Sequence, residues 1–193
     1  MLRRDIFDKI SKTFFIPKID LFAPRVNTQI RNNYVSWFPD PDAVDCDAFS
    51  LSWNNISDPY IFPPFSQLAR VLQKVEDDQV NRALLICPLW TTQVWFPKLL
   101  KLLVDFPVKI PMKKDLLMLA HNQVLHPLNK RKTFLIGCCI SGDTSKIRAF
   151  QNRLQKLSLH RGDTPLTNSM NIHGELGCFG VTNGILIPLH QMK

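Results

Sequence analysis

The sequence predicts an α/β fold: a mostly parallel sheet with helices on both faces. Three observations carry this. Short apolar runs of strand length alternate with stretches of helical period. The strongest run, "RALLICPLW", is apolar throughout, as a strand covered on both faces must be. Prolines fall mainly at the ends of such runs, where a locked φ and a missing N–H do least harm.

The elements follow in order. Ile6, Phe7, Ile10 and Phe14 recur at helical spacing and predict a short amphipathic helix ended by Pro17. "KIDLFA" predicts a first strand, opened by Asp20 and closed by Pro24. "NYVSWF" predicts a second, closed by "PDPD", and "CDAFSLSW" a weaker third. A fourth, "DPYIF", runs into Pro63 and Pro64. Behind it, Leu68, Val71, Leu72 and Val75 share one helical face, with Ser66 as the expected N-cap. "RALLICPLW" is the fifth strand. "TTQVWFPKLLKLLV" predicts a helix capped near Thr91 or Thr92 and kinked before Pro97. "FPVKIP" and "KTFLIGCCIS" supply two more strands, and Ile147, Phe150, Leu154 and Leu157 one side of a last helix. Past His160 the chain is polar, Gly-rich and aperiodic as far as "GVTNGILIPL". It reads as a tail with too little apolar surface to fold alone.

Composition narrows the function classes. Hydrophobic residues make up 45% and charged residues 21%, the balance of an ordinary globular protein. No apolar run reaches the roughly 18 residues of a membrane span. "MLRRDIFDKISKTFF" alternates charged and apolar residues, unlike a secretory signal. The expectation is an intracellular protein, cytoplasmic or nuclear, with no membrane partner. Five cysteines, an odd number without a CxxC pair, argue against a disulfide scaffold or a zinc site. His121 and His126 are five apart, off the i, i+4 register of a metal-binding helix, so no metal is expected.

Charge is unevenly spread. From Ile19 to Phe65 two arginines face six aspartates. From Phe106 to Lys132 the six basic residues Lys109, Lys113, Lys114, Lys130, Arg131 and Lys132 face Asp115 alone. Such a patch favours DNA or RNA through counterion release. The plainer alternative is a set of solvated loop side chains.

In open α/β sheets, ligands bind beyond the carboxyl ends of the strands. Three features converge on that edge: Asp20, Asp47 and the turn "FPPF". Together they predict a shallow pocket lined by aromatics, with aspartates at its rim.

The series "IDLFAPRVN", "YVSWFPDPDAVDCDAFSLSW", "YIFPPFSQLARVLQKV" and "RALLICPLWTTQVWF" resembles the methyltransferase-like segment in polyproteins of DIRS-type and related tyrosine-recombinase retrotransposons. That segment in turn is similar to phage Dam-type adenine methyltransferases. The resemblance spans Arg3 to Val104, and the stretch after Ile140 is similar to the one joining this segment to the next polyprotein module. It implies a Rossmann-like methyltransferase fold over 16–140, a helix at 1–15 continuing from an upstream module, and a helix with linker or tail at 141–193. In active relatives the fourth strand ends in Asp or Asn, then Pro-Pro, then Tyr or Phe. The polar side chain accepts hydrogen bonds from adenine's amine, and the aromatic stacks on the flipped base.

The implied catalytic positions are therefore Phe62, Pro63, Pro64 and Phe65, with Phe62 standing where the acceptor belongs. The implied cofactor-binding positions are Asp20, Phe22, Ala23 and Asp47. Ala23 and Pro24 replace the glycines that let backbone approach S-adenosylmethionine. These departures imply an inactive module with no cofactor, partnered by nucleic acid or by other polyprotein modules. Two alternatives stay open: an active S-adenosylmethionine-dependent adenine methyltransferase, and a structural protein-interaction module without ligand.

Overall fold

The computed structural model describes residues 1–112, 115–117, 134–155, 179–182 and 185–192. Its elements are α1 (Arg4–Phe14), β1 (Ile19–Asp20), β2 (Val35–Ser36), β3 (Asp45–Cys46), β4 (Pro59–Ile61), α2 (Leu68–Asp77), β5 (Ala83–Pro88), α3 (Phe96–Leu102), β6 (Val108–Lys109), β7 (Leu135–Ile140), α4 (Thr144–Gln155), β8 (Phe179–Thr182), β9 (Ile185–Pro188) and β10 (His190–Gln191).

The central sheet has the order β1-β4-β5-β7-β6-β10. Every pairing in it is parallel except those made by β7, which runs antiparallel to both β5 and β6. The parallel pair β2-β3 attaches to the free edge of β1 through one parallel bridge, Asp20 to Tyr34. The Asp20 N–H donates to the Asn33 carbonyl at 3.0 Å and the Ala23 N–H to Val35 at 3.4 Å. The chain thus leaves β1 toward one side of the sheet and returns on the other as β4. This is a mixed α/β architecture with a mostly parallel sheet flanked by helices, as the alternating sequence pattern predicts.

Two apolar clusters, one on each face, explain the strand compositions. Along β5, Leu84 and Ile86 pack with α1 (Leu2, Ile6, Phe7 and Ile10 join this cluster), while Ala83, Leu85 and Cys87 pack with α2, α3 and α4. A strand covered twice has no solvent face, so its alternation disappears. In α2, Leu68, Val71, Leu72 and Val75 are buried, the spacing of a single helical stripe. Asp143 stands just before α4, and its carboxylate accepts from the Ser145 N–H at 2.8 Å. The Ser145 hydroxyl, donating to the same carboxylate at 2.6 Å, and that N-capping bond after it hold the carboxyl below its usual range.

Several local expectations are corrected. Asp20 ends β1 rather than opening it. Ser66 does not cap α2: it lies inside a 3-10 turn, Phe65–Gln67, and Gln67 holds the cap position without a side-chain bond. Pro97 does not kink a helix beginning at Thr91 or Thr92, because α3 starts only at Phe96 and Pro97 sits in its first turn. A proline there removes an N–H that would have no helical partner. Of the third expected strand, 46–53, only Cys46 pairs, as the second residue of β3, and Ala48–Ser50 turns into a 3-10 segment instead. "KTFLIGCCIS" forms a strand, but an antiparallel one.

Packing also crosses the expected divisions at residues 15 and 140. Helix α1 covers one sheet face, and Phe150 and Leu154 of α4 join the cluster on the other. The segments 179–182 and 185–188 are not a bare tail: β8 and β9 pair antiparallel and contact α3 and α4, and β10 extends the main sheet beside β6. These segments need not fold alone, since they add apolar surface to a core that already exists.

Candidate functional site

A cleft of about 720 Å³ opens beyond the carboxyl ends of β1, β3 and β4. It lies where the chain order reverses between β1 and β4, the switch point at which such sheets hold ligands. Its volume falls within the usual range of ligand pockets. Eight positions singled out in the sequence line it: Asp20, Phe22, Ala23, Asp47, Phe62, Pro63, Pro64 and Phe65.

The first wall grows from Asp20. This side chain is only 2% exposed. Its carboxylate accepts from the backbone N–H of Gln29 at 2.9 Å and of Phe22 at 3.4 Å, and from the Thr28 hydroxyl at 3.5 Å. Those bonds fold the chain after β1 back over the strand end. Burial nevertheless dominates and pushes the Asp20 carboxyl up to about 6, against the pull of the donors. Pro24 opens the next turn, its carbonyl accepting from Asn27 at 2.8 Å and Thr28 at 3.1 Å.

The second wall begins at Asp47, whose φ of 57° is left-handed. Its side chain accepts from the Phe49 N–H at 3.0 Å, the kind of local bond that makes this conformation tolerable for Asp. Asp47 is solvent-exposed and serves as a cap. Phe49 packs on Trp53 at 6.1 Å and on Phe22 at 5.4 Å, and the Arg70 guanidinium lies 3.8 Å over the Phe49 ring. The indole N–H of Trp53 donates to the Ala48 carbonyl at 2.7 Å, fixing the cluster from below.

The third wall is the double proline. Pro63 is buried and Pro64 exposed. The Pro64 carbonyl accepts from Gln67 at 2.8 Å, so the turn passes directly into the 3-10 segment before α2. Phe62 and Phe65 stand 6.3 Å apart with rings tilted by 48°, and Trp90 meets Phe65 edge-on at 5.4 Å. Phe62 presents a ring and no acceptor to the cleft. Trp37, 76% exposed, reaches the mouth.

Residues with no sequence signal complete the floor. Tyr60, 1% exposed, pairs in register with Asp20, and its hydroxyl has no partner. Burial, then the Asp20 charge, raise its pKa well above the usual tyrosine value. The side-chain oxygen of Asn27 is likewise buried without a partner. Met1 lines the same cleft, and the pKa of its α-amino group is lowered by burial against the opposing field of Asp20. Strand register and loop path bring these groups together, which no local pattern encodes.

The basic residues are not part of this cleft as far as they are described. Lys109 lies on β6, three strands from β4, with its ammonium 3.8 Å over the Phe134 ring. Lys113, Lys114, Lys130, Arg131 and Lys132 lie outside the described residues, as do His121 and His126. Among the described residues no group of three His, Cys, Asp or Glu side chains converges as a metal centre, and no helix is long and apolar enough to cross a membrane.

No protein-family model matches the chain, and no curated protein sequence matches it.

Proposed function

We propose that the protein is a catalytically inactive methyltransferase-like module of a retrotransposon polyprotein that contacts nucleic acid. One observation carries the reading: Phe62 lines a switch-point cleft at the position where the similar adenine methyltransferases place a hydrogen-bond acceptor. The mostly parallel sheet and the aromatic walls are compatible with a Rossmann-like methyltransferase plan. Cleft volume and ring content would suit an adenosine-sized ligand. The acceptor for adenine's amine is missing, and Pro24 offers no N–H at the turn after β1. S-adenosylmethionine, when bound in active relatives, supplies the methyl group. Here the residues around its expected place serve to shape the cleft.

Preorganised polar groups of this kind are worth roughly 3–4 kcal/mol in a transition state, or 100- to 1000-fold in rate. The test is transfer of a tritiated methyl group to adenine-containing DNA and RNA, beside calorimetric titration with S-adenosylmethionine and S-adenosylhomocysteine. The expected result is no transfer. Turnover that disappears in Phe65→Ala would overturn the reading. For the nucleic-acid part, replacing Lys130, Arg131 and Lys132 together with alanine should flatten the dependence of log affinity on log salt by about 2–3, near one per phosphate contact. An unchanged slope would return these residues to solvated surface.

A further inference from the structure

We propose that two copies of this chain associate, the exposed aromatic patch at Trp37 and Phe38 of one docking into the arginine-lined groove at Ile16 and Arg31 of the other. Neither surface depends on a ligand in the cleft or on methyl transfer.

The patch grows out of the excursion between β1 and β4. Eight large hydrophobic residues are exposed among the described residues, and four of them, Val26, Trp37, Phe38 and Val44, belong to this excursion. Trp37 is 76% exposed and meets Phe38 edge-on at 5.0 Å, so two rings stand together in solvent. An ion pair from Arg25 to Asp42 at 2.7 Å holds the turn carrying Val26 against the loop carrying Val44. Clustered exposed apolar side chains mark interaction surfaces, whereas single ones need no explanation. The rim of this cluster is acidic. Asp40 accepts from the Tyr34 hydroxyl at 3.1 Å, and neither it nor Asp45 has an ion-pair partner among the described residues.

The groove lies at the other end of the same sheet edge. Ile16 and Pro17 lead into β1, and Ile30 and Arg31 lead toward β2, which bridges to β1 in parallel. Trp37 and Phe38 leave β2 at its far end. Together with Arg4, Phe7 and Gln29, the four leading residues line a groove of about 540 Å³. Arg4 is fixed there: Nη1 donates to the Gln29 carbonyl at 2.5 Å, and Nε pairs with Asp8 at 3.0 Å. The exposed Arg31 side chain has neither a hydrogen bond nor an ion pair among the described residues. Ile16 beside it is 76% exposed.

Each surface supplies what the other lacks. A guanidinium stacks on an aromatic face and pairs with a carboxylate, so the groove suits a guest that offers both. The patch offers two rings rimmed by Asp40 and Asp45. A nucleic acid or an anionic membrane would bring negative charge against those carboxylates. A basic peptide on the patch would leave Arg31 and Ile16 in solvent, whereas a second copy engages both surfaces. The net charge of +8 opposes association at long range. At about 0.1 M salt that repulsion is screened beyond roughly 10 Å, while pairs in contact keep their attraction.

The experiment is sedimentation velocity of the intact chain across a concentration series. It compares wild type with Trp37→Lys and with the double variant Ile16→Asp, Arg31→Glu. All three substituted side chains are exposed, so both variants should keep the wild-type melting temperature. Each should weaken self-association by about thirtyfold or more, the effect that marks an interface anchor. Trp37→Lys keeps the groove and the double variant keeps the patch. An equimolar mixture of the two should therefore recover a dimer at concentrations where neither forms one alone. Trp37→Ser and Arg31→Gln, milder changes at the same positions, should weaken association in the same direction.

A wild-type chain that stays monomeric up to about 1 mM, the weak end of the affinity scale, would overturn the proposal. So would association that survives in either variant, since it would run through another surface. A mixture that stays monomeric while both variants melt as wild type does would refute the pairing of patch with groove.

Discussion

Asp20 makes a prediction about stability and pH that can be worked from the structure. Its folded carboxyl is pushed up to about 6, against 3.8 for an ordinary aspartate, chiefly because burial penalises the charge. The folded state therefore holds a proton that the unfolded chain has already released over the window between those values. By linkage, stability falls as pH rises through that window and stops falling once Asp20 is ionised in both states. The displacement corresponds to about 3 kcal/mol, of the order of 6–12 °C in melting temperature for a chain of this size. Asp58, Asp78 and Asp143 act in the opposite direction, their carboxyls held low in the fold, but their contributions change only at and below the ordinary carboxylate range. The measurement is urea unfolding of wild type and Asp20→Asn at half-unit steps from pH 4 to 7. Relative to the variant, wild type should lose up to about 3 kcal/mol by pH 6.5 and then level off. A flat difference across this range, or one favouring wild type as pH rises, would refute the idea that burial dominates at Asp20.

Two further outcomes test the packing that positions the cleft. A Cβ on Gly142 would sit 2.3 Å from the Val75 carbonyl oxygen and 2.9 Å from the Val80 nitrogen, both backbone atoms, so Gly142→Ala should cost about 3 kcal/mol. Gly137→Ala, where the nearest atom is the side-chain tip of Ile10 at 1.9 Å, should cost less, because that tip can turn; equal losses in chemical denaturation would contradict this. Asp58 holds a left-handed φ of 52° and accepts from Arg82 at 2.5 and 3.1 Å, so Asp58→Ala should also cost about 3 kcal/mol. Asp58→Asn, which tolerates that backbone, should recover part of the loss, and an asparagine variant as unstable as the alanine one would rule the backbone share out.

The sequence by itself determined the alternation of elements, the fully apolar β5 and the stripe of α2. Each is a local consequence of period and composition: a strand with two covered faces must be apolar throughout, and a helix with one covered face must repeat near 3.6 residues. It also marked Asp20, Asp47 and the double proline, since strand ends in an α/β sheet share one edge. Only the tertiary structure decided that β7 runs antiparallel, because an apolar strand reads the same in either direction. It alone set the register that opposes Asp20 to Tyr60 and leaves the Tyr60 hydroxyl without a partner beside the cleft. Arg70 over Phe49 is of the same kind: an exposed arginine on a helix is unremarkable in sequence, and becomes part of the cleft through the path of a loop some twenty residues earlier. Helix α1 and the β8–β9 strand pair belong to the core for the same reason. Their apolar residues are too few to fold independently, and what they gain depends on a sheet face that the rest of the chain provides.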